Sequence, residues 1–331
     1  MLRKHMSVEQ LSQKIQTEIA KVISGQHEVI EQIVAATIAD GHVLLEGVPG
    51  LAKTLMVRSL GKVFGMKFGR VQFTPDMMPS DVTGTMVFDV SKNEFQFRPG
   101  PLFAGLLLAD EINRTPPKTQ SALLEAMEER KVTIDGVTHD LPAPFLVFAT
   151  QNPLEYEGTY PLPEAQQDRF LMKILLRYPS AENEIDVLKL HHSGFHPQNL
   201  EERGLQTVTS VEELRAIQAE VTRTKVEDKI FNYIYEIVKT TRDNRDIMVG
   251  ASPRAGIGLL NISKAIAQMR GRDFVIPDDV KEFAPAEVYI IPARVKDCMP
   301  SFEQLKKLNF IDLFPDWNTG MQKLITSLEL L

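Results

Sequence analysis

The sequence predicts an α/β protein in which a parallel sheet is covered by helices on both faces and followed by a smaller, mainly helical domain. Three observations carry this expectation. Near-continuous apolar runs at 42–47 (HVLLEG), 105–111 (GLLLADE) and 144–152 (PFLVFATQN) read as strands buried on both faces, with helical patterns between them. Each run ends in a glycine loop or in polar groups, as strands do when their carboxyl ends line a ligand site. Beyond Pro179 strand-like runs give way to helical spacing.

Taken in order, Val8, Leu11, Ile15, Ile19, Val22 and Ile23 recur at steps of three and four and predict an amphipathic helix ended by Ser24-Gly25. A second helix is expected from about Glu28 to Ile38, and a third from Lys53 to Val63. KFGRVQFT (67–74) alternates and predicts a strand, TQSALLEAMEERK (119–131) a helix, and RFLMKILLRYP (169–179) another strand. Two hairpins interrupt the alternation. KVTIDGVTHDL (131–141) carries Asp135-Gly136 between β-like arms, and TMVFDVSKNEFQF (85–97) turns at Ser91-Lys92-Asn93. In the second domain Ser180 can cap a helix, and Ser210 with Glu213 forms a capping box opening VEELRAIQAEV. RGRDFVIPDDV (270–280) can add a short β-like stretch before a helix.

The chain has 331 residues, enough for about two domains. Its net charge of −7 and lack of a Lys/Arg block give no reason to bind nucleic acid or an anionic membrane. The single cysteine, Cys298, excludes an internal disulfide and suits a reducing compartment. No apolar stretch reaches about 18 residues, and the opening segment lacks a secretory pattern, so the expectation is cytoplasmic, without membrane insertion.

Residues 47–54, GVPGLAKT, nearly match the phosphate-loop pattern G-x-x-x-x-G-K-[ST]. Gly47, Val48, Pro49, Gly50, Leu51, Ala52, Lys53 and Thr54 follow a strand and open a helix, as that loop requires. Backbone N–H groups in such a loop converge on phosphate oxygens, while Lys53 would meet the terminal phosphates of ATP and Thr54 would hold Mg²⁺. Ala52 replaces the second glycine. A negative φ at this helix start would let alanine fit without penalty. An ordinary strand-to-helix turn is the alternative for the loop alone. Asp110-Glu111 follows the second apolar run and offers a carboxylate for Mg²⁺ and a base for an attacking water, or simply a helix cap. Asn152 follows the third run and can hold water beside a γ-phosphate, or stand as a turn residue before Pro153. Arg169, before a strand, and Arg254, opening a helix, are of the type that stabilises charge on a transferring phosphoryl group, also from a neighbouring chain. A salt-bridged structural arginine is the commoner use. His191, His192 and His196 lack a nearby carboxylate or cysteine to complete a zinc site.

The ordered set GVPGLAKT, LLLADEINRTPPKTQSALLEAMEER, VFATQNPLEYEGTYPLPEAQQDRF and GASPRAGIGLL resembles the MoxR family of AAA+ ATPases, and the resemblance runs from VISGQHEVI to IPDDVKEFAPAEV. It implies an AAA+ P-loop core over 1–179, with two β-hairpin inserts, and a helical lid over 180–331. The family commonly carries alanine where Ala52 stands. The resemblance implies that Gly47 to Thr54 form the Walker A loop, Asp110 the Mg²⁺ carboxylate, Glu111 the base and Asn152 sensor 1. Arg169 would be an arginine finger offered to the neighbouring subunit, Arg254 sensor 2 on a lid that moves with the γ-phosphate, and Ser24-Gly25-Gln26 a segment near the nucleotide base. It further implies a homo-oligomeric ring, a hexamer, acting on a client protein such as one with a von Willebrand factor A domain. The ATPase subunit of a metal chelatase and a non-hydrolysing nucleotide-dependent scaffold are the alternative readings.

Overall fold

The computed structural model describes residues 6–153, 158–194, 200–243 and 250–283. The helices α1 (Val8–Ala20) and α2 (His27–Ile38) precede the sheet. The Ser7 hydroxyl accepts the Gln10 N–H at 3.2 Å and caps α1. The expected helix to Ile23 stops at Ala20, yet Val22 and Ile23 remain buried beyond it.

The strands β1 (Val43–Glu46), β2 (Phe68–Gln72), β5 (Leu106–Asp110), β8 (Leu146–Gln151) and β9 (Met172–Leu175) form one sheet in the order β2-β5-β8-β1-β9. All of its pairings are parallel. Side chains on successive strand residues enter opposite faces. Val43, Leu45, Leu106, Leu108, Leu146 and Phe148 therefore join one buried cluster, while Leu44, Leu107, Ala109, Val147 and Ala149 join another. Burying both faces is what made these strands read as continuous apolar runs. Each fully buried Val, Leu or Phe contributes roughly 1.5–3 kcal/mol relative to exposure. On the first face lie α1, α2 and α3 (Lys53–Val63); on the second lies α5 (Pro117–Glu129), with the short α4 (Pro79–Thr83) against it.

The two hairpins form as expected. β3 (Gly84–Asp89) pairs with β4 (Glu94–Pro99), and β6 (Lys131–Ile134) with β7 (Val137–Asp140). Phe97 stacks on His139 with ring centroids 4.1 Å apart, which ties one hairpin to the other.

A four-residue helix, α6 (Glu164–Gln167), leads to β9, and the α-helices among the described residues beyond it are α7 (Ala181–His192), α8 (Val211–Val221), α9 (Asp228–Asp243), α10 (Pro253–Met269) and α11 (Pro277–Phe283). The capping box holds, with Ser210 and Glu213 each accepting the other's backbone N–H at 3.2 Å. The β-like stretch expected near 270–280 is a single bridge between Lys225 and Phe274. The first apolar cluster continues through Leu214, Ile237, Leu259 and Ile266, so these helices share a core with α1 and α2.

His42 stands buried at the amino end of β1. Its Nδ1 accepts the Val147 N–H at 3.0 Å, so Nε2 carries the proton and donates to the Met127 carbonyl at 3.2 Å. Burial first, and then the charge of Arg130, push its pKa down from 6.5 to about 3. The unfolded chain therefore takes up a proton that the folded chain refuses. The stability this residue contributes is complete above pH 6.5 and is lost as the pH falls towards 3. Lowering the pH from 7 to 5 is expected to cost about 2 kcal/mol through His42 alone. Denaturant titrations of the wild type and His42→Gln should show a shallower pH dependence in the variant; equal slopes would contradict this account.

Candidate functional site

β8 lies between β1 and β5, so the carboxyl ends of these three strands sit side by side. The glycine loop follows β1, Asp110 ends β5, and Asn152 follows β8 and is buried. The Gly47 N–H donates to the Gln151 carbonyl at 3.3 Å, which pins the loop's start to the end of β8. A Cβ on Gly47 would stand 3.0 Å from Leu176, so a larger residue there would crowd the segment that follows β9. Gly50 has φ +89° and nothing within 4 Å of an added Cβ, so the apex of the loop is open. Lys53 Nζ donates back to the Gly47 carbonyl at 2.5 Å and curls over its own loop.

Ala52 corrects the expectation from sequence. It lies at φ 58°, ψ 22°, in the left-handed region, not at negative φ. An L-residue there costs about 1–2 kcal/mol, which explains why the pattern prefers glycine at this place. The side chain is exposed, so the methyl meets solvent and only the backbone bears the strain.

The Thr150 hydroxyl, fully buried, donates to Asp110 Oδ1 at 2.6 Å and accepts the Glu111 backbone N–H at 2.8 Å. Arg70 Nη2 donates to Asp110 Oδ2 at 2.7 Å, and Gln72 Nε2 donates to Glu111 Oε2 at 2.7 Å. Arg114 Nε lies 3.2 Å from the same Glu111 oxygen. Glu111 itself sits at φ 57°, ψ 51°, another left-handed residue without glycine. Strain of this kind concentrates at sites where a side chain must be aimed. The hydroxyl of Thr54 and the carboxylate of Asp110 are hard oxygen donors of the kind Mg²⁺ takes with phosphates. Sequence reading missed Arg70, Gln72 and Thr150. Arg70 and Gln72 are the polar positions of an alternating strand, but that β2 lies beside β5 is a fact of sheet order, which periodicity does not reveal.

Ser24-Gly25-Gln26 turns between α1 and α2 against the segment that follows β9. Gln26 Nε2 donates to the Arg177 carbonyl at 3.1 Å, and Ser24 Oγ to Asn183 Oδ1 at 3.2 Å. Gly25 has φ +71°, and a Cβ there would strike the Asn183 side chain at 2.3 Å. This turn therefore reaches the carboxyl edge of the sheet, where the loop lies.

The two arginines do not. Arg169 precedes β9, and the neighbouring Leu171 N–H donates at 2.7 Å to the carbonyl of His42, which precedes β1. Arg169 Nε donates to Glu128 Oε2 at 2.9 Å, and Arg254 Nη2 to Glu128 Oε1 at 2.7 Å. Both guanidinium groups thus stand at the amino edge of the sheet. Four residues of β1, roughly 13 Å at ~3.3 Å per residue, separate that edge from the loop. The Arg254 bond first, and then that of Arg169, hold the Glu128 carboxyl below its usual range. His191 and His192 end α7, and His196 and Cys298 lie outside the described residues. Among the described residues no group of three His, Cys, Asp or Glu could hold a metal.

Residues 42–172 match the model of the ATPase family associated with various cellular activities, and residues 239–306 match that of the AAA lid domain. The described chain is thus an AAA ATPase domain followed by its helical lid. It is 50% identical over 277 residues to the uncharacterized protein YeaC of Bacillus subtilis, covering 84% of each chain. It is 44% identical to chaperone MoxR1 of Mycobacterium tuberculosis, over 81% of this chain and 72% of that one. A crystal structure from Cytophaga hutchinsonii, described as that of a candidate ATPase, superposes with a TM-score of 0.78 at 40% identity, covering 91% of this chain and 94% of the other. The chain belongs to the MoxR family of AAA+ ATPases.

Replacing the strained alanine tests the loop reading. Ala52→Gly is expected to raise the unfolding free energy by about 1 kcal/mol in a denaturant titration. A loss of stability would mean that residue 52 does not hold the left-handed conformation.

Proposed function

We propose that this chain is a Mg²⁺-dependent ATPase that works as a homo-oligomeric ring, a hexamer, and couples hydrolysis to the assembly or activation of partner proteins. Residues 1–179 form the nucleotide-binding core and 180–331 the lid. The observation that carries the reading is the meeting of the glycine loop, Asp110, Glu111 and Asn152 at one sheet edge, with Thr150 bonded to both acidic residues.

In this reading the backbone N–H groups of residues 47–54 cradle the phosphates, and Lys53 leaves the Gly47 carbonyl for the γ-phosphate. Gly25 and Gln26 lie by the base. Thr54 and Asp110 hold Mg²⁺, which when bound neutralises charge on the phosphate oxygens. Glu111 accepts a proton from water as the water oxygen attacks the γ-phosphorus and the bond to the bridging oxygen of ADP breaks. Gln72 and the left-handed backbone aim this carboxylate. Asn152 orients the water. Arg169 and Arg254, at the amino edge, complete the site of the adjacent subunit, which explains their distance from their own loop.

The client is a protein, with a von Willebrand factor A domain as the expected recognition module. Support for a protein client, though not for that module, comes from the relative named chaperone MoxR1. Among the described residues no helix is long and apolar enough to cross a membrane, and we place the protein in the cytoplasm, where a lone cysteine stays reduced. Glu111→Gln should bind ATP with wild-type affinity and lose turnover by about 100-fold or more. Equilibrium binding of a fluorescent ATP analogue, beside phosphate release, checks this. Wild-type turnover would remove Glu111 from the role of base.

A further inference from the structure

Glu128 lies in the last turn of α5 and was singled out by no sequence signal, being one of several acidic residues in LLEAMEER. Its place is unusual on electrostatic grounds. A carboxylate in the last turn of a helix faces the negative end of the macrodipole. Two cations offset this, and each takes a different oxygen of the same carboxylate. The cations come from distant parts of the chain, Arg169 ahead of β9 and Arg254 in the first turn of α10. A second link lies beside the first. Asp168 accepts the Ser252 hydroxyl at 2.9 Å on both oxygens, and Ser252 caps α10.

The side chains of Glu128, Arg169 and Arg254 are 37%, 29% and 48% exposed, so the cluster lies at the surface. Exposed ion pairs contribute little to stability. What distinguishes this one is its geometry. Glu128 grips Arg169 at Nε, and no Nη bond of Arg169 is present among the described residues. The forked end remains able to meet phosphate oxygens, for which a guanidinium is well shaped. Without the carboxylate, two adjacent guanidinium groups would repel and separate.

We propose that Glu128 is a positioning residue for hydrolysis in the neighbouring subunit. It binds Arg169 and Arg254 into one cationic claw, so that core and lid present both guanidinium groups together to the nucleotide triphosphate next door. The inference rests on the in-trans reading above and goes beyond it in naming the group that sets the claw's geometry. Glu128 touches neither phosphate nor water and acts through the arginines.

Subunit mixing tests it. Glu128→Ala alone is expected to keep wild-type affinity for a fluorescent ATP analogue and to lose about 10- to 100-fold in turnover, the scale expected when a catalytic group is misplaced. Mixed with Glu111→Gln, it should regain activity, because an interface between Glu111 of one subunit and Glu128 of the other is whole. Mixed with Arg169→Ala it should not, since both lesions lie on the same face. Regain with Glu111→Gln also shows that Glu128→Ala subunits fold and assemble. Wild-type or raised turnover of Glu128→Ala would overturn the proposal. So would failure of Glu128→Ala to be rescued by Glu111→Gln where Arg169→Ala is rescued. If Arg169→Ala is not rescued by Glu111→Gln either, the in-trans reading itself falls and the proposal falls with it.

Discussion

The Thr150 hydroxyl, buried between β5 and β8, joins the Asp110 carboxylate to the Glu111 backbone amide. That bridge exists because β8 pairs in parallel with both β5 and β1. A change in strand order would part Asp110 from the glycine loop, and a slip of register by one residue would turn Thr150 to the other face. The apolar clusters on the two faces hold the register, since Phe148 and Val147 belong to different cores. Packing on both faces is therefore what sets the distances among the polar groups at the edge.

Two non-glycine residues at this edge, Ala52 and Glu111, occupy the left-handed region. Neither has the side chain that would relieve the strain, and each stands where the chain must turn sharply out of a strand and into a helix. The surrounding sheet over-determines the backbone there. For Glu111 the same turn aims a carboxylate, which Gln72 and Arg114 then hold from the side.

Much of this was legible in the sequence, for physical reasons. Lys53–Val63 has helical spacing and Val43–Glu46 is an apolar run, so their bounds follow from periodicity. Ser210 and Glu213 announce a helix start because capping is local chemistry. What depends on non-local geometry was hidden. The sign of φ at Ala52 follows from the angle between β1 and α3, and the bonds of Arg70 and Gln72 from the neighbour of β2. The meeting of Glu128, Arg169 and Arg254 joins residues 126 positions apart at most and leaves no mark in any local pattern.

The site thus divides between two edges of one sheet. The carboxyl edge carries the loop, the acidic pair and Asn152; the amino edge carries two arginines on one glutamate. In the proposed reading, a chain built this way holds half of two different sites, and hydrolysis would be a property of the interface between copies. The direct measurement is ATP turnover per subunit across a dilution series of the wild-type protein that spans its assembly, followed in parallel by sedimentation. Turnover per subunit should be near zero in the monomer and rise to a plateau as rings form. Equal turnover per subunit at every concentration, including where only monomer is present, would contradict the account.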